Sequence, residues 1–175
     1  MNLEKLREPL LISDIEFRVQ SINKGGYATI LAYKDARVDM NRLDEAVGPL
    51  NWKREHCRDN HNCIVSIWNE ETKQWVYKED TGTESNAEAQ KGLASDSFKR
   101  ACFNWGIGRH LYDFPIISIK LNPDEFKISG NFVKPTFKFN LRSWKWHVEY
   151  DSEGCVSRLA CKDDKNKVRF NFKSK

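Results

Sequence analysis

A chain of 175 residues is long enough for one domain with its own core, and 29 Lys and Arg against 25 Asp and Glu leave it a net charge of +4. That balance permits a polyanionic partner without requiring one. The opening residues MNLEKLREPLLISD carry no long apolar run, and no stretch reaches the roughly 20 apolar residues of a membrane helix, which argues against a secretion leader and a membrane span.

Residues 2 to 8 suit a short helix. Ile15, Phe17 and Val19 alternate with Glu16, Arg18 and Gln20, the pattern of a half-buried strand. Asn23-Lys24-Gly25-Gly26 is turn chemistry and Tyr27 to Tyr33 a second strand, so the pair reads as a hairpin. Ala36, Met40, Leu43 and Val47 recur at helical spacing, and Gly48-Pro49 ends that helix. Three strand-like runs follow, Trp52 to Arg58, Asn62 to Trp68 and Gln74 to Thr81, with short connections that predict an antiparallel meander. Ser85-Asn86-Ala87-Glu88 has the form of a capping box, and a helix then runs to Trp105 with Ala94, Phe98, Ala101, Cys102 and Trp105 in one apolar stripe. Gly106 and Gly108 end it. Beyond Pro115, Phe132 to Phe139, Trp144 to Tyr150, Cys155 to Cys161 and Lys167 to Phe172 read as a C-terminal β-meander. The fold class expected is α+β.

Several clusters invite a chemical reading. His56, Cys57, His61 and Cys63 suggest zinc, but their spacing matches no usual structural zinc pattern, and no metal site is expected. Glu79 and Asp80, with Lys78 and Glu88, can be forced into a metal-dependent nuclease site, but acidic residues ending a strand are common without metal. No phosphate-binding GxxxxGK[ST] loop occurs, so no P-loop ATPase is indicated and neither a cofactor nor a catalytic residue is expected. The five cysteines, Cys57, Cys63, Cys102, Cys155 and Cys161, are odd in number and scattered, as suits reduced thiols in a cytoplasm. Cations on rigid elements stand out more. Lys99 flanks the buried stripe of the second helix and Arg100 lies further round, where either can reach phosphate. Arg18, Lys24 and Arg37 lie on or beside the first hairpin, and Arg109 follows the glycine exit. Each of these also fits a plain solvated surface. Trp75 and Trp105 are expected in the core, with one of Trp144 and Trp146 packed.

The stretch YKDARVDMNRLDEAVGPLNW (Tyr33 to Trp52), then the meander, then EAQKGLASDSFKRACFNWGIGRHLY (Glu88 to Tyr112), resembles the phage and prophage branch of the Rad52-type single-strand annealing proteins. The resemblance covers roughly residues 12 to 115 and leaves the C-terminal strands outside it. It implies a β-β-β-α core, assembly into a homo-oligomeric ring or helical filament, and single-stranded DNA in a basic groove with its bases exposed for pairing. The activity would be annealing of complementary strands without ATP, in recombination or repair. A phage exonuclease or a host single-strand binding protein is the further partner such a system implies. Lys99 and Arg100 fall on the Lys-Arg pair that lines the inner DNA groove of the eukaryotic relatives. One turn later those relatives place another Arg where this chain has Phe103, a departure for which Arg109 is the candidate to compensate. Arg18 and Lys24 stand nearest the basic residue those relatives carry by the first hairpin.

The expectation is a non-enzymatic protein with an annealing core over residues 1 to 115 and a β-rich extension over 116 to 175. Its DNA-binding candidates are Arg18, Lys24, Arg37, Lys99, Arg100 and Arg109. Protection of single strands or DNA ends without annealing is the alternative, and a nuclease centred on Asp80 the third. The C-terminal segment from Lys162 to Lys175, with six Lys or Arg against two Asp, is open to either added DNA affinity or simple solubility.

Overall fold

The computed structural model describes residues 1–83 and 89–174, with the side chains of residues 89–91 outside that description. The capping box expected at Ser85 to Glu88 lies outside the described residues. The chain opens on a 3-10 turn at Leu3–Leu6, shorter than the helix expected over residues 2 to 8, with the Asn2 side chain accepting from the Glu4 N–H. Strands β1 (Glu16–Ile22) and β2 (Tyr27–Tyr33) form the expected antiparallel hairpin. Gly26 takes a φ of +74°, and a Cβ there would come within 2.8 Å of the Phe126 ring, so the turn needs glycine on both counts. Helix α1 (Ala36–Val47) starts where the Asp35 carboxylate accepts the Arg37 N–H and stops at Gly48, whose φ is +88°.

Strands β3 (Trp52–Cys57), β4 (Asn62–Asn69) and β5 (Gln74–Thr81) make the meander in that order, and α2 (Ala89–Trp105) follows. Then come β6 (Ile117–Lys120), β7 (Phe126–Ser129), β8 (Phe132–Pro135), β9 (Lys145–Tyr150), β10 (Val156–Lys162) and β11 (Val168–Lys173). The strand expected to reach Phe139 stops at Pro135. The Thr136 N–H turns back to the Glu125 carbonyl and the Phe139 N–H to the Thr136 carbonyl, which ends the ladder.

The chain divides into two compact units, residues 1–8 with 35–109 and residues 9–34 with 110–175. In the first, β3-β4-β5 lays one face on the helices. Cys63, Val65 and Ile67 of β4 pack with Leu43, Ala46 and Val47 of α1 and with Phe98, Ala101 and Cys102 of α2. Alternation along β4 puts those three side chains on a single side, which is how a two-residue period becomes a core. In the second unit, β1-β2-β6 and β9-β10-β11 share one apolar cluster that includes Ala28, Ile30, Ile117, Ile119, Leu159 and Cys161. This pairing departs from the expected division at residue 115. The free edge of β2 is taken by β6, with Tyr27 opposite Lys120 and Ile30 opposite Ile117, so the hairpin belongs with the strands beyond α2.

An ionic group sits inside the second unit. Arg169 holds Glu125 bidentately, with Nη1 to Oε1 at 2.9 Å and Nη2 to Oε2 at 2.7 Å, reaches Asp163 at 3.3 Å, and lies over the Trp144 ring. Its side chain is only 5% exposed.

The tryptophans divide as their partners dictate. Trp105 is half-buried and donates its Nε1–H to the Val65 carbonyl at 3.0 Å. Trp144 is buried, and Trp146 stacks on Phe17 with ring centroids 3.6 Å apart. Trp75 is not in the core: it is 39% exposed, edge-on to Trp68 across β4 and β5, with Lys53 over its ring. Its strand position faces away from the helices, a choice of side that an aromatic's size does not decide.

Candidate nucleic-acid interface

The four candidate cations of the first unit gather at two places along α2. Near the middle of the helix, Arg100 pairs with Asp96 one turn earlier, Nε to Oδ2 at 3.0 Å. The same oxygen accepts the Thr83 N–H at 2.9 Å and the Thr83 hydroxyl at 3.2 Å. Asp96 therefore anchors the chain beyond β5 to α2 and holds Arg100 at the helix surface. Burial alone would raise the Asp96 carboxyl, but the Thr83 N–H, the Arg100 guanidinium and the Thr83 hydroxyl together bring it below the ordinary carboxylate range. Beside it, the start of α1 and Lys99 share Asp35. Two hydrogen bonds from Arg37, through Nε at 2.9 Å and the backbone N–H at 2.8 Å, hold the Asp35 carboxyl low, with the Lys99 charge adding to the effect. Arg37 and Lys99, 62 positions apart in sequence, thus flank one carboxylate.

At the C-terminal end of α2, Arg109 donates from Nε to the Phe103 carbonyl and from Nη2 to the Asn104 carbonyl, both at 2.8 Å. Unsatisfied carbonyls and the negative end of the helix dipole favour a cation there. The guanidinium also lies 5.5 Å from the centre of the Phe103 ring. Its charge therefore stands over the position where the distant relatives were expected to carry an arginine. Lys78 of β5 joins it: its Nζ donates to the Asn104 carbonyl at 2.7 Å and lies 4.7 Å from the Trp105 ring centre. Burial, then the charges of Arg109 and Arg7, lower the Lys78 pKa. Three cations thus gather at the end of one helix. Lys78 and Arg7 escape sequence reasoning because only the tertiary fold brings them to Arg109. Arg54 is missed for the same reason; it lies over the Phe98 ring at 4.8 Å.

Arg18 and Lys24 belong to the second unit. Arg18 is exposed on β1 and lies 5.1 Å from the Tyr33 ring centre, while Lys24 is exposed in the hairpin turn. Arg142, another cation, lines a surface cleft with Tyr33 beside the hairpin. Lys120 of β6 donates to the Gly25 carbonyl at 2.6 Å and lies over the Tyr27 ring, which brings a second lysine to that turn.

The residues behind the metal readings have structural uses. His56 and Cys63 face each other across β3 and β4; His61 contacts the Arg58 carbonyl at 2.8 Å through Nδ1. Burial pushes the Cys63 thiol up to about 11, which disfavours the thiolate a metal would need. Glu79 accepts from the Asn62 amide, and Asp80 from the Thr81 N–H and the Asn104 amide. Glu88 lies outside the described residues. Among the described residues no three His, Cys, Asp or Glu side chains gather as a metal-holding group, and no helix is long and apolar enough to cross a membrane.

Comparison with known proteins adds to this geometry. Residues 67–125, from within β4 through α2 and beyond β6, match the model of the Rad52/22 family double-strand break repair protein. Over 115 residues the chain is 33% identical to the single-stranded DNA-binding protein DdrA of Deinococcus radiodurans, covering 64% of this chain and 55% of that one. Over 90 residues it is 38% identical to the protein of the same name from Deinococcus deserti, covering 50% and 44% respectively. The chain thus spans about half the length of these curated relatives. No solved structure gives a significant match. The region similar to the Rad52/22 family double-strand break repair protein thus contains α2 with Lys99 and Arg100, and also Lys78 and Arg109.

Proposed function

We propose that this protein binds single-stranded DNA along the cation-bearing surface of α2 and anneals complementary strands without ATP, in recombination or repair. The observation that carries the reading is the placement of Lys99, Arg100 and Arg37 on rigid supports within or beside the Rad52/22 segment. Side chains fixed by Asp35 and Asp96 present charge at defined points, which suits phosphates and reads no sequence. Arg109 and Lys78 extend the same helix's positive surface toward its C-terminal end, and Arg18 and Lys24 are the contacts offered by the hairpin. Neutralising phosphates lowers the repulsion between two strands, and a groove that leaves bases unstacked keeps their pairing edges available. On this reading the protein is a binder rather than an enzyme, several copies assemble on one strand as a ring or filament, and it works in the cytoplasm of a bacterial cell.

The test pairs complementary oligonucleotides in the absence of ATP and measures single-strand affinity against salt. Lys99→Ala with Arg100→Ala removes two phosphate contacts, so binding weakens and the slope of log K against log salt falls by about 1.4, at about 0.7 per contact for single strands. Unchanged affinity and slope would remove these two residues from the site. A second reading, protection of single strands without annealing, draws on the relatives' description as single-stranded DNA-binding proteins. Tight binding with no acceleration of strand pairing would favour it.

A further inference from the structure

The outward face of the β9-β10-β11 sheet is strongly basic, and its charges are arranged against the sheet's own interest. On β10, Arg158, Ala160 and Lys162 alternate with the buried Leu159 and Cys161, so all three point away from the core. In register, Lys162 lies opposite Lys145 of β9, and Arg158 lies opposite Lys173 of β11. Like charges directly opposite each other in a sheet are destabilising. Two such pairs occur on one face. Among the described residues, Glu149 is the one carboxylate at a position of this face, and it is shared by His147 at 2.7 Å and Arg158 at 3.5 Å. Glu125 and the buried Asp163 serve Arg169 on the inner side and do not neutralise the outer one. The turn after β10 adds exposed Lys165 and Lys167 against Asp164. Between the charged pairs runs a shallow trough of about 310 Å³, floored by Ala160 and walled by Lys145, His147, Arg158 and Lys162. A small residue in the middle lets a ligand backbone approach the sheet.

We infer that this sheet face is a second binding surface for the phosphate backbone of single-stranded DNA, separate from α2. The charge pattern favours a polyanion: Lys145 with Lys162 forms one cationic row, and Arg158 with Lys173 another. The two rows lie four residues apart on β10, about 13 Å at 3.3 Å per residue, a span that one strand crosses with several phosphates. A bound strand relieves both like-charge oppositions. The face lies in residues 145–173, beyond the Rad52/22 segment, so nothing in that match assigns it. The choice of a DNA strand as the polyanion rests on the proposed function.

The test uses the full chain, a fluorescent oligo(dT) and a salt titration, with Lys145→Gln and Lys162→Gln combined in one variant. Removing two phosphate contacts lowers the salt slope by about 1.4 and weakens binding. The same variant melts at the same temperature as the parent or higher, because a repulsive pair is gone, so lost affinity is not lost folding. An unchanged slope and affinity overturns the inference and leaves the α2 reading standing. Failure of the parent protein to bind any single strand sinks both. Loss of binding in the sheet variant, with none in the Lys99→Ala and Arg100→Ala variant, sinks the α2 site and keeps this one. A change in oligomeric state with DNA binding intact also overturns the inference, since the face would then be a contact between copies.

Discussion

Replacing Gly82 with Ala tests how closely β5 and α2 are fitted together. Gly82 is buried just after β5, and its N–H donates to the His61 carbonyl at 2.7 Å. A Cβ there would stand 2.7 Å from the Ser97 backbone nitrogen and 2.8 Å from the Leu93 carbonyl oxygen. Both atoms belong to the α2 backbone, so no flexible side chain can swing away. Reaching ordinary contact at about 3.4 Å requires the strand exit or the helix to retreat by about 0.6 Å. Two effects compete. Alanine reduces the entropy of the unfolded chain and, at a conformation it tolerates, stabilises by about 0.4–1 kcal/mol. Overpacking against fixed backbone costs about 1–3 kcal/mol. The steric term wins, for a net loss of about 1–2 kcal/mol, or about 2–8 °C in melting temperature for a chain of this size. Urea unfolding followed by tryptophan fluorescence measures it. An unchanged or raised midpoint would show that the close approach is not there. Because Thr83 is the next residue and bonds Asp96, the same substitution should also loosen Arg100 and weaken single-strand binding at low salt.

Two further outcomes follow from the buried groups. Arg169→Met leaves the Glu125 carboxylate buried without its bidentate partner, a change that costs about 3–5 kcal/mol at neutral pH by thermal or urea unfolding. In the parent, burial would raise the Glu125 carboxyl, but Arg169 and the Asn122 N–H hold it below its ordinary value, so its contribution is present above about pH 4.3 and is lost as the pH falls. The variant's deficit should therefore shrink on acidification below that point; a deficit independent of pH would argue against an ionic origin. Among the thiols, Cys57 and Cys155 are exposed, whereas Cys63, Cys102 and Cys161 are buried, and burial pushes the Cys161 thiol up to about 12. At pH 8 a thiol reagent should label two cysteines quickly and the other three only on unfolding, as counted by mass spectrometry; rapid labelling of Cys161 would contradict its burial.

Local patterns carried most of the fold. The turn at Asn23 to Gly26, the glycine stop of α1 and the three strands of the meander could all be read within a residue or two, because turn chemistry and alternation are properties of neighbouring residues. The apolar stripe of α2 was equally legible, and Phe98, Ala101 and Cys102 are buried. What escaped was non-local. β6 and β7 are four residues long, too short to show a period, and β6 is defined by a partner some 90 positions earlier. That pairing is also why residue 115 does not divide the strands. Trp75 was misplaced because alternation fixes which residues share a side, not which side is buried. At the candidate interface, Lys99 and Arg100 could be seen on a helix face. The approach of Lys99 to Asp35, the tie of Asp96 to Thr83, and the gathering of Lys78 and Arg7 at Arg109 depend on contacts that no short sequence window contains.

The pairing of β2 with β6 also sets an order of events during synthesis. The hairpin leaves the ribosome before the strand that covers the edge of β2, which is made about 80 residues later, about 4–16 s at ordinary rates of translation. Throughout that interval Ala28 and Ile30, buried in the finished protein, lack their mates, and the edge of β2 is open to any extended segment. Meanwhile α1, the meander and α2 emerge with short loops between them and can close on each other at once. The nascent chain therefore completes α2 while the hairpin strands still wait. Rare codons or heat shock that lengthen the wait fall on the hairpin, and a chaperone that shields an uncovered strand edge would act there first.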